Sequence, residues 1–129
     1  MENHKLVLPS NLNHYGYLFV GDLLKWVDEY AWIAATLDYP DCNFVTMGMD
    51  KVAFKKSVTG GTILTFIVEQ TGAGKSSVQY LVHVYRGNSG LKNDLIFSTT
   101  VTFVRIDQDG RKEPLPAWRA LCSLLAINC

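Results

Sequence analysis

Residues Gly21 to about Leu37, GDLLKWVDEYAWIAATL, carry the one long helical pattern in this chain, and almost everything after them reads as strand. Leu23, Leu24, Val27, Ala31, Ala34 and Ala35 recur at helical spacing. Asp22 lies at the positive N-terminal end, where a carboxylate is favoured. Trp26, Tyr30, Trp32 and Ile33 extend the apolar surface well around the cylinder, so the helix is expected to be wrapped by other structure. A sheet that curls around it is the economical way to bury it.

The strands supply such a sheet. Lys5 to Pro9 can form a short first strand ended by proline, and SNLNHYGYLF is rich in turn formers, with Gly16 free to take a positive φ. After the helix, Val45, Met47 and Met49 share one parity while Val52 and Phe54 share the other, which predicts a bulge near Asp50 and Lys51. The methionines Met47 and Met49 are expected in the core. Thr59 to Gly61 reads as a turn. Leu64, Phe66 and Val68 alternate with Ile63, Thr65 and Ile67, in a strand apolar on both sides near its centre. Val78, Tyr80, Val82 and Val84 share one face of the next strand, and Leu95, Phe97, Val101 and Phe103 one face of the last. DQDG is a turn, and PLPAWRALCSLLAI is expected to add a short helix after Pro116. The predicted class is α+β: an antiparallel sheet of about five strands around one central helix, with residues 1–129 forming a single domain.

Composition excludes more than it assigns. Twelve basic and twelve acidic side chains cancel, which leaves no chain-wide attraction for nucleic acid or an anionic membrane. Cys42, Cys122 and Cys129 lack CxxC spacing and support neither a disulfide framework nor a zinc site. No two histidines have ligand spacing; His4 and His14 read as surface residues and His83 as a sheet-face residue. Neither a metal nor a cofactor is expected. There is no GxSxG elbow of a serine hydrolase. MENHKLVLPS lacks the apolar run of a secretion signal, and the apolar stretches fall short of a membrane span. The cytoplasm is the expected compartment.

Two local features invite a function. TGAGKSS, Thr71 to Ser77, is spelled like the tail of a phosphate-binding loop. Such a loop needs a helix after it and a glycine five residues before Gly74, where this chain has Glu69. Here it joins two strands, and the plain reading is a hairpin turn. Asp28 is the second feature. Leu24, Ala31, Trp32 and Ala35 surround it on the helix, and a carboxylate desolvated there is a candidate general base or acid. The alternative for Asp28 is a polar surface stripe shared with Glu29, whose i−4 partner is Lys25, or a structural buried carboxylate.

Three longer stretches, read together, resemble a known family. LPSNLNHYGYLFVGDLLKWVDEYAWIAA is similar to the family's proline-ended strand, asparagine, F-G-G turn and helix with M-D-E; MDKVAFKKSV to its V-D-x-V-x-F-x-x-P-V; and GKSS to its G-R-S-S. VTFVRIDQDGRKEPLP resembles its final strand and exit turn. The family is that of the hot-dog-fold acyl-CoA thioesterases, in the bacterial and mammalian acyl-CoA hydrolase branch, and the likeness runs from about Leu6 to Pro116.

The resemblance implies a hot-dog homodimer with shared sites, able to assemble further as a trimer of dimers, that hydrolyses a fatty acyl-CoA to free acid and CoA. Coenzyme A would be part of the substrate and not a cofactor. Asp28 would activate water or attack the thioester itself, and Asn13 of the other subunit would place the water or the carbonyl. Backbone N–H groups around Val20 and Gly21 would polarise the carbonyl, since a helix N-terminus supplies oriented donors ready-made. Gly74, Lys75, Ser76 and Ser77 would hold the pantetheine or phosphates of CoA, with Lys55 and Lys56 placed in the same role. Val20 stands where the family has glycine, and the rival reading is a non-catalytic hot-dog protein that binds acyl-CoA or a protein partner. A hot-dog dehydratase would need a histidine-plus-acid helix pattern that this chain lacks.

Overall fold

The protein's structure is a computed structural model that describes residues 1–87 and 94–116. Strand β1 (Glu2–Leu6) and a 3-10 turn (Pro9–Asn11) precede helix α1 (Val20–Asp38). Strands β2 (Asn43–Phe54), β3 (Ile63–Ala73), β4 (Ser77–Arg86) and β5 (Leu95–Ile106) follow it. All pair antiparallel in one sheet of order β1-β3-β4-β5-β2. The class is α+β, one long helix against five antiparallel strands, as the alternation patterns required. The expected C-terminal helix, with Cys122 and Cys129, lies outside the described residues. Among the described residues no helix is long and apolar enough to cross a membrane.

The core lies between α1 and one face of the sheet. Leu23, Val27, Ala31 and Ala35 of the helix are fully buried. They meet the inward residues Leu64, Phe66 and Val68 of β3, Val78, Tyr80, Val82 and Val84 of β4, and Phe97, Val101 and Phe103 of β5. The two alanines let the helix axis approach the sheet closely, because separation follows the size of the side chains between.

Four details depart from the sequence pattern. The first strand runs Glu2–Leu6, earlier than the expected Lys5–Pro9, because ladder pairing with β3, from Glu2↔Ile67 to Leu6↔Ile63, selects it. An edge strand solvated on one side needs no apolar run. The helix starts one residue early, at Val20. In β2 the expected bulge is present, between Asp50 and Ala53, with Lys51 at φ 54. A second bulge sits between Thr46 and Gly48. It makes Met47 the extra residue, so Met47 is exposed while Met49 packs on the core. Val45, Met47 and Met49 therefore do not share a face.

The fourth departure matters most. The sheet does not wrap the helix: Trp32 is 44% exposed, Ile33 40% and Leu37 69%. Five strands cover one flank of α1 and leave the other open.

Near the helix C-terminus the buried phenol of Tyr80 donates a 2.7 Å hydrogen bond to Asp38 Oδ2. Burial first, and then that bond, hold the phenol well above its usual 10.0. The unfolded tyrosine ionises near 10 while the folded one stays neutral, so this contribution is whole below pH 10 and declines as pH rises past it. Tyr80→Phe is expected to cost about 1 kcal/mol at neutral pH. Urea titrations repeated from pH 9 to 11 should then show a smaller alkaline loss of stability in the variant than in the wild type.

Candidate active site

Asp28 sits midway along α1 on the open flank, half-buried and not enclosed by the apolar neighbours the helical pattern gave it. Its Oδ1 accepts a 2.7 Å hydrogen bond from the hydroxyl of Thr46. Thr46 is the last residue before the first β2 bulge; it shares the parity of Phe44 but, at the edge strand, stays exposed. The bond fixes the carboxylate to an edge strand. Sequence reasoning missed Thr46, because the shared parity of Val45, Met47 and Met49 put it on the opposite face of the strand. Beside the carboxylate, Asp28, Glu29, Trp32 and Ile33 line a groove of about 330 Å³.

The start of the helix makes a second cluster. Phe19 is the N-cap and gives no side-chain hydrogen bond; its carbonyl accepts from Asp22 and Leu23 at 3.1 and 3.3 Å. The N–H groups of Val20 and Gly21 have no partner among the described residues, as the first donors of a helix do not. Gly21 lets the Phe19 ring lie over the first turn; a Cβ there would stand 2.5 Å from ring Cε1, and the exposed ring would have to swing aside. The Val20 side chain is exposed.

Asn13 belongs to this cluster. Its Oδ1 accepts the N–H groups of Tyr15 and Tyr17 at 2.9 and 3.2 Å, which closes the loop and leaves the amide nitrogen as donor. Asn11 ties that loop to the helix: its carbonyl accepts from Phe19 N–H, and its side chain donates to Asp22 Oδ2 at 3.1 Å. Asn13 and the Val20–Gly21 donors thus ride on one braced unit. Asp28 does not. It is seven residues beyond Gly21, about 10 Å along the helix axis.

The residues expected at CoA fall into two groups. Gly74, Lys75 and Ser76 turn β3 into β4, closed by the Gly74 N–H to Ser77 carbonyl bond of 2.8 Å. TGAGKSS is a hairpin, with no helix after it. Lys75, Ser76, Lys112 and Pro114 line a groove of about 260 Å³ there, so Lys112, which the sequence reading did not single out, stands beside Lys75. Lys55 and Lys56 lie at the far end of the sheet. Lys56 Nζ is 2.9 Å from Asp94, whose other oxygen pairs with Arg86 at 2.8 Å. The ten residues of β4 separate Ser77 from Arg86, about 30 Å. One chain does not bring the two groups together.

The clusters sort by end. Thr46 pairs with Phe103, and Phe103 with Val78, so the carboxylate is level with the Lys75 hairpin. Leu18 N–H bonds to the Val58 carbonyl and Tyr17 bridges to Thr59, so Asn13 and the helix start lie at the Lys55–Lys56 end. Among the described residues no group of three or more His, Cys, Asp or Glu could hold a metal ion.

A family model, the thioesterase superfamily, matches residues 15–92. The chain belongs to that superfamily. Within it, this thioesterase-fold chain is 30% identical over 85% of its length to an uncharacterized acyl-CoA thioester hydrolase of Bacillus subtilis, covering 64% of that protein. It is 29% identical over 86% of its length to the human cytosolic acyl coenzyme A thioester hydrolase, covering 30% of it. It therefore spans less than two thirds of either relative. Among solved structures it resembles a Staphylococcus aureus acyl-CoA hydrolase in complex with butyryl coenzyme A, coenzyme A and coenzyme A disulfide, at TM-score 0.79 and 28% identity, covering 90% of this chain and 71% of that one. It also resembles a hexameric hot-dog-fold thioesterase of Campylobacter jejuni, at TM-score 0.77 and 28% identity, covering 92% of each chain. The hot-dog fold is thus shared by this superfamily member and its neighbours.

Arg86 first, and Lys56 after it, hold the Asp94 carboxyl at about 2, below its usual 3.8. A depressed carboxylate contributes stability above the unfolded value and loses it as pH falls through the folded one. In an NMR titration Asp94 should turn over near pH 2. Arg86→Gln should move that midpoint back toward 3.8, with Lys56 left as the remaining cation at the carboxylate.

Proposed function

We propose that this chain is an acyl-CoA thioester hydrolase whose sites are each shared between two protomers. The observation that carries the reading is the division of the machinery. A tethered carboxylate, Asp28, lies at one level of the helix, and unpartnered donors with Asn13 lie about two turns away. Two helices side by side and antiparallel about a two-fold axis would bring the start of each against the middle of the other. The same operation would bring the Lys55–Lys56 end of one protomer to the Lys75–Lys112 end of its partner. Every candidate residue would then converge on one of two equivalent sites. The open flank of α1 and the unpaired edge of β2 would be covered, and CoA would lie between basic groups from both chains.

In such a site the thioester carbonyl oxygen accepts from Val20 and Gly21 N–H groups of one protomer. Asp28 of the other takes a proton from water as its oxygen attacks the carbonyl carbon. Negative charge develops on the carbonyl oxygen, where donors fixed in a water-poor site act most strongly. Collapse expels CoA as its thiolate, which takes up the proton that Asp28 held, and the free acid leaves. Thr46 keeps the carboxylate aimed, and Asn13 orients the water.

The S. aureus hydrolase lends support. It has also been solved with an aspartate, an asparagine or a threonine replaced by alanine. That aspartate and asparagine stand the same number of residues apart as Asp28 and Asn13, and the threonine falls within one residue of the Thr46 spacing. Hexameric thioesterases among the structural neighbours fit an assembly of such dimers.

Thiol release from a panel of acyl-CoAs, read with a thiol-reactive dye, tests the reading. Asp28→Asn should lower the rate by about 10²–10⁴-fold without loss of fold, and Thr46→Ala should lower it less, because the carboxylate remains. Full-speed hydrolysis by Asp28→Asn, or release from no acyl-CoA by the wild type, would refute it.

A further inference from the structure

The two tryptophans of α1 have opposite surroundings. Trp26 is 6% exposed, a core residue with the Lys5 ammonium 5.3 Å above its ring. Trp32 is a large apolar side chain left near-half exposed on the open flank, one turn beyond Asp28 on the same helix face. It lines the groove that contains the carboxylate, with Ile33 beside it. Neither residue is needed by the core of its own chain. An exposed indole is costly to leave in water, and in the shared site it would stand between the partner protomer and the acyl group held beside Asp28.

We propose that Trp32 is the floor of the acyl site and confines this enzyme to short and medium acyl chains. The inference rests on the thioesterase reading and names the substrate class within it. An acyl chain leaving the carbonyl at Asp28 and following the helix reaches the indole within the rise of four residues, about 6 Å. The groove is a furrow on one helix face, lined by Asp28, Glu29, Trp32 and Ile33, which the partner protomer of the shared site would close. The walls match: apolar Trp32 and Ile33 suit methylenes, while Asp28 and Glu29 keep the polar end near the thioester. A longer chain has to displace the indole or leave its tail in water.

The test compares wild type, Trp32→Phe and Trp32→Ala on acyl-CoAs from acetyl to palmitoyl, by thiol release. Wild-type kcat/KM should fall steeply beyond medium chains. Trp32→Ala should raise the palmitoyl-to-butyryl ratio of kcat/KM at least tenfold, since each newly covered methylene contributes about fourfold, and Trp32→Phe should lie between. Affinity for the same acyl-CoAs, measured by calorimetry on Asp28→Asn carrying each Trp32 variant, gives a readout that needs no turnover. If the wild type cleaves nothing yet its affinity profile lengthens on Trp32→Ala, the hydrolase reading fails while the acyl floor stands. If Trp32→Ala weakens self-association but leaves both length profiles unchanged, Trp32 is an interface residue and the proposal is overturned.

Discussion

A nineteen-residue helix with apolar side chains around most of its circumference has to be covered on more sides than one five-stranded sheet reaches. Burial of α1 organises the rest of the structure. Leu23, Val27, Ala31 and Ala35 face the sheet and are closed off completely, whereas Trp32, Ile33 and Leu37 are left in the open. The part of the open flank around Asp28 and Trp32 lies beside the edge strand β2, to which Thr46 ties it, whereas Leu37 borders Met1 and Val68 on the β1–β3 side. Unpaired strand edges and exposed apolar flanks are both features that natural proteins cover. Asp28 lies on that same flank. The surface that needs a partner and the surface that carries the carboxylate are one surface.

The bulge after Thr46 shows how local irregularity serves the site. Without it, the alternation begun at Phe44 would run straight through Met47 and Met49, and the strand could not both present Thr46 to the helix and return Met49 to the core. One extra residue does both. The Thr46–Asp28 bond then fixes a charged side chain where neither helix packing nor an ion pair does so. At the helix start the equivalent device is Gly21, whose missing Cβ lets the Phe19 ring lie over the first turn.

Much of this was legible in the sequence, for reasons that differ by element. The helix, β3, β4 and β5 could be read because their periodicity is strong and one face is buried throughout, as with Val78, Tyr80, Val82 and Val84. β1 was misplaced because an edge strand is selected by pairing, and ENHKL carries no apolar alternation to reveal that. The first β2 bulge escaped because Val45, Met47 and Met49 are all apolar, and parity alone cannot tell an inward methionine from an extruded one. The candidate site followed the same rule. Asp28, Asn13 and the Val20–Gly21 turn stood out through residue type, position and resemblance. Thr46 and Lys112 depend on which strand residues lie beside α1 and beside the Lys75 hairpin, and those are tertiary facts. That the Lys75 hairpin and the Lys55–Lys56 pair, both expected at CoA, occupy opposite ends of one sheet could not be read from spacing at all.

The central claim is that each site draws Asp28 from one protomer and Asn13 from the other. Co-expression of Asn13→Ala with Asp28→Ala under two different tags, followed by purification of the doubly tagged dimer, tests it directly by thiol release. Each variant alone should be nearly inactive. In the mixed dimer one site carries both defects and the other carries neither, so activity should return to about half that of the wild type. If both residues served the same site from the same chain, every site in the mixture would keep one defect. A mixed dimer of demonstrated composition that stays silent would contradict the shared site.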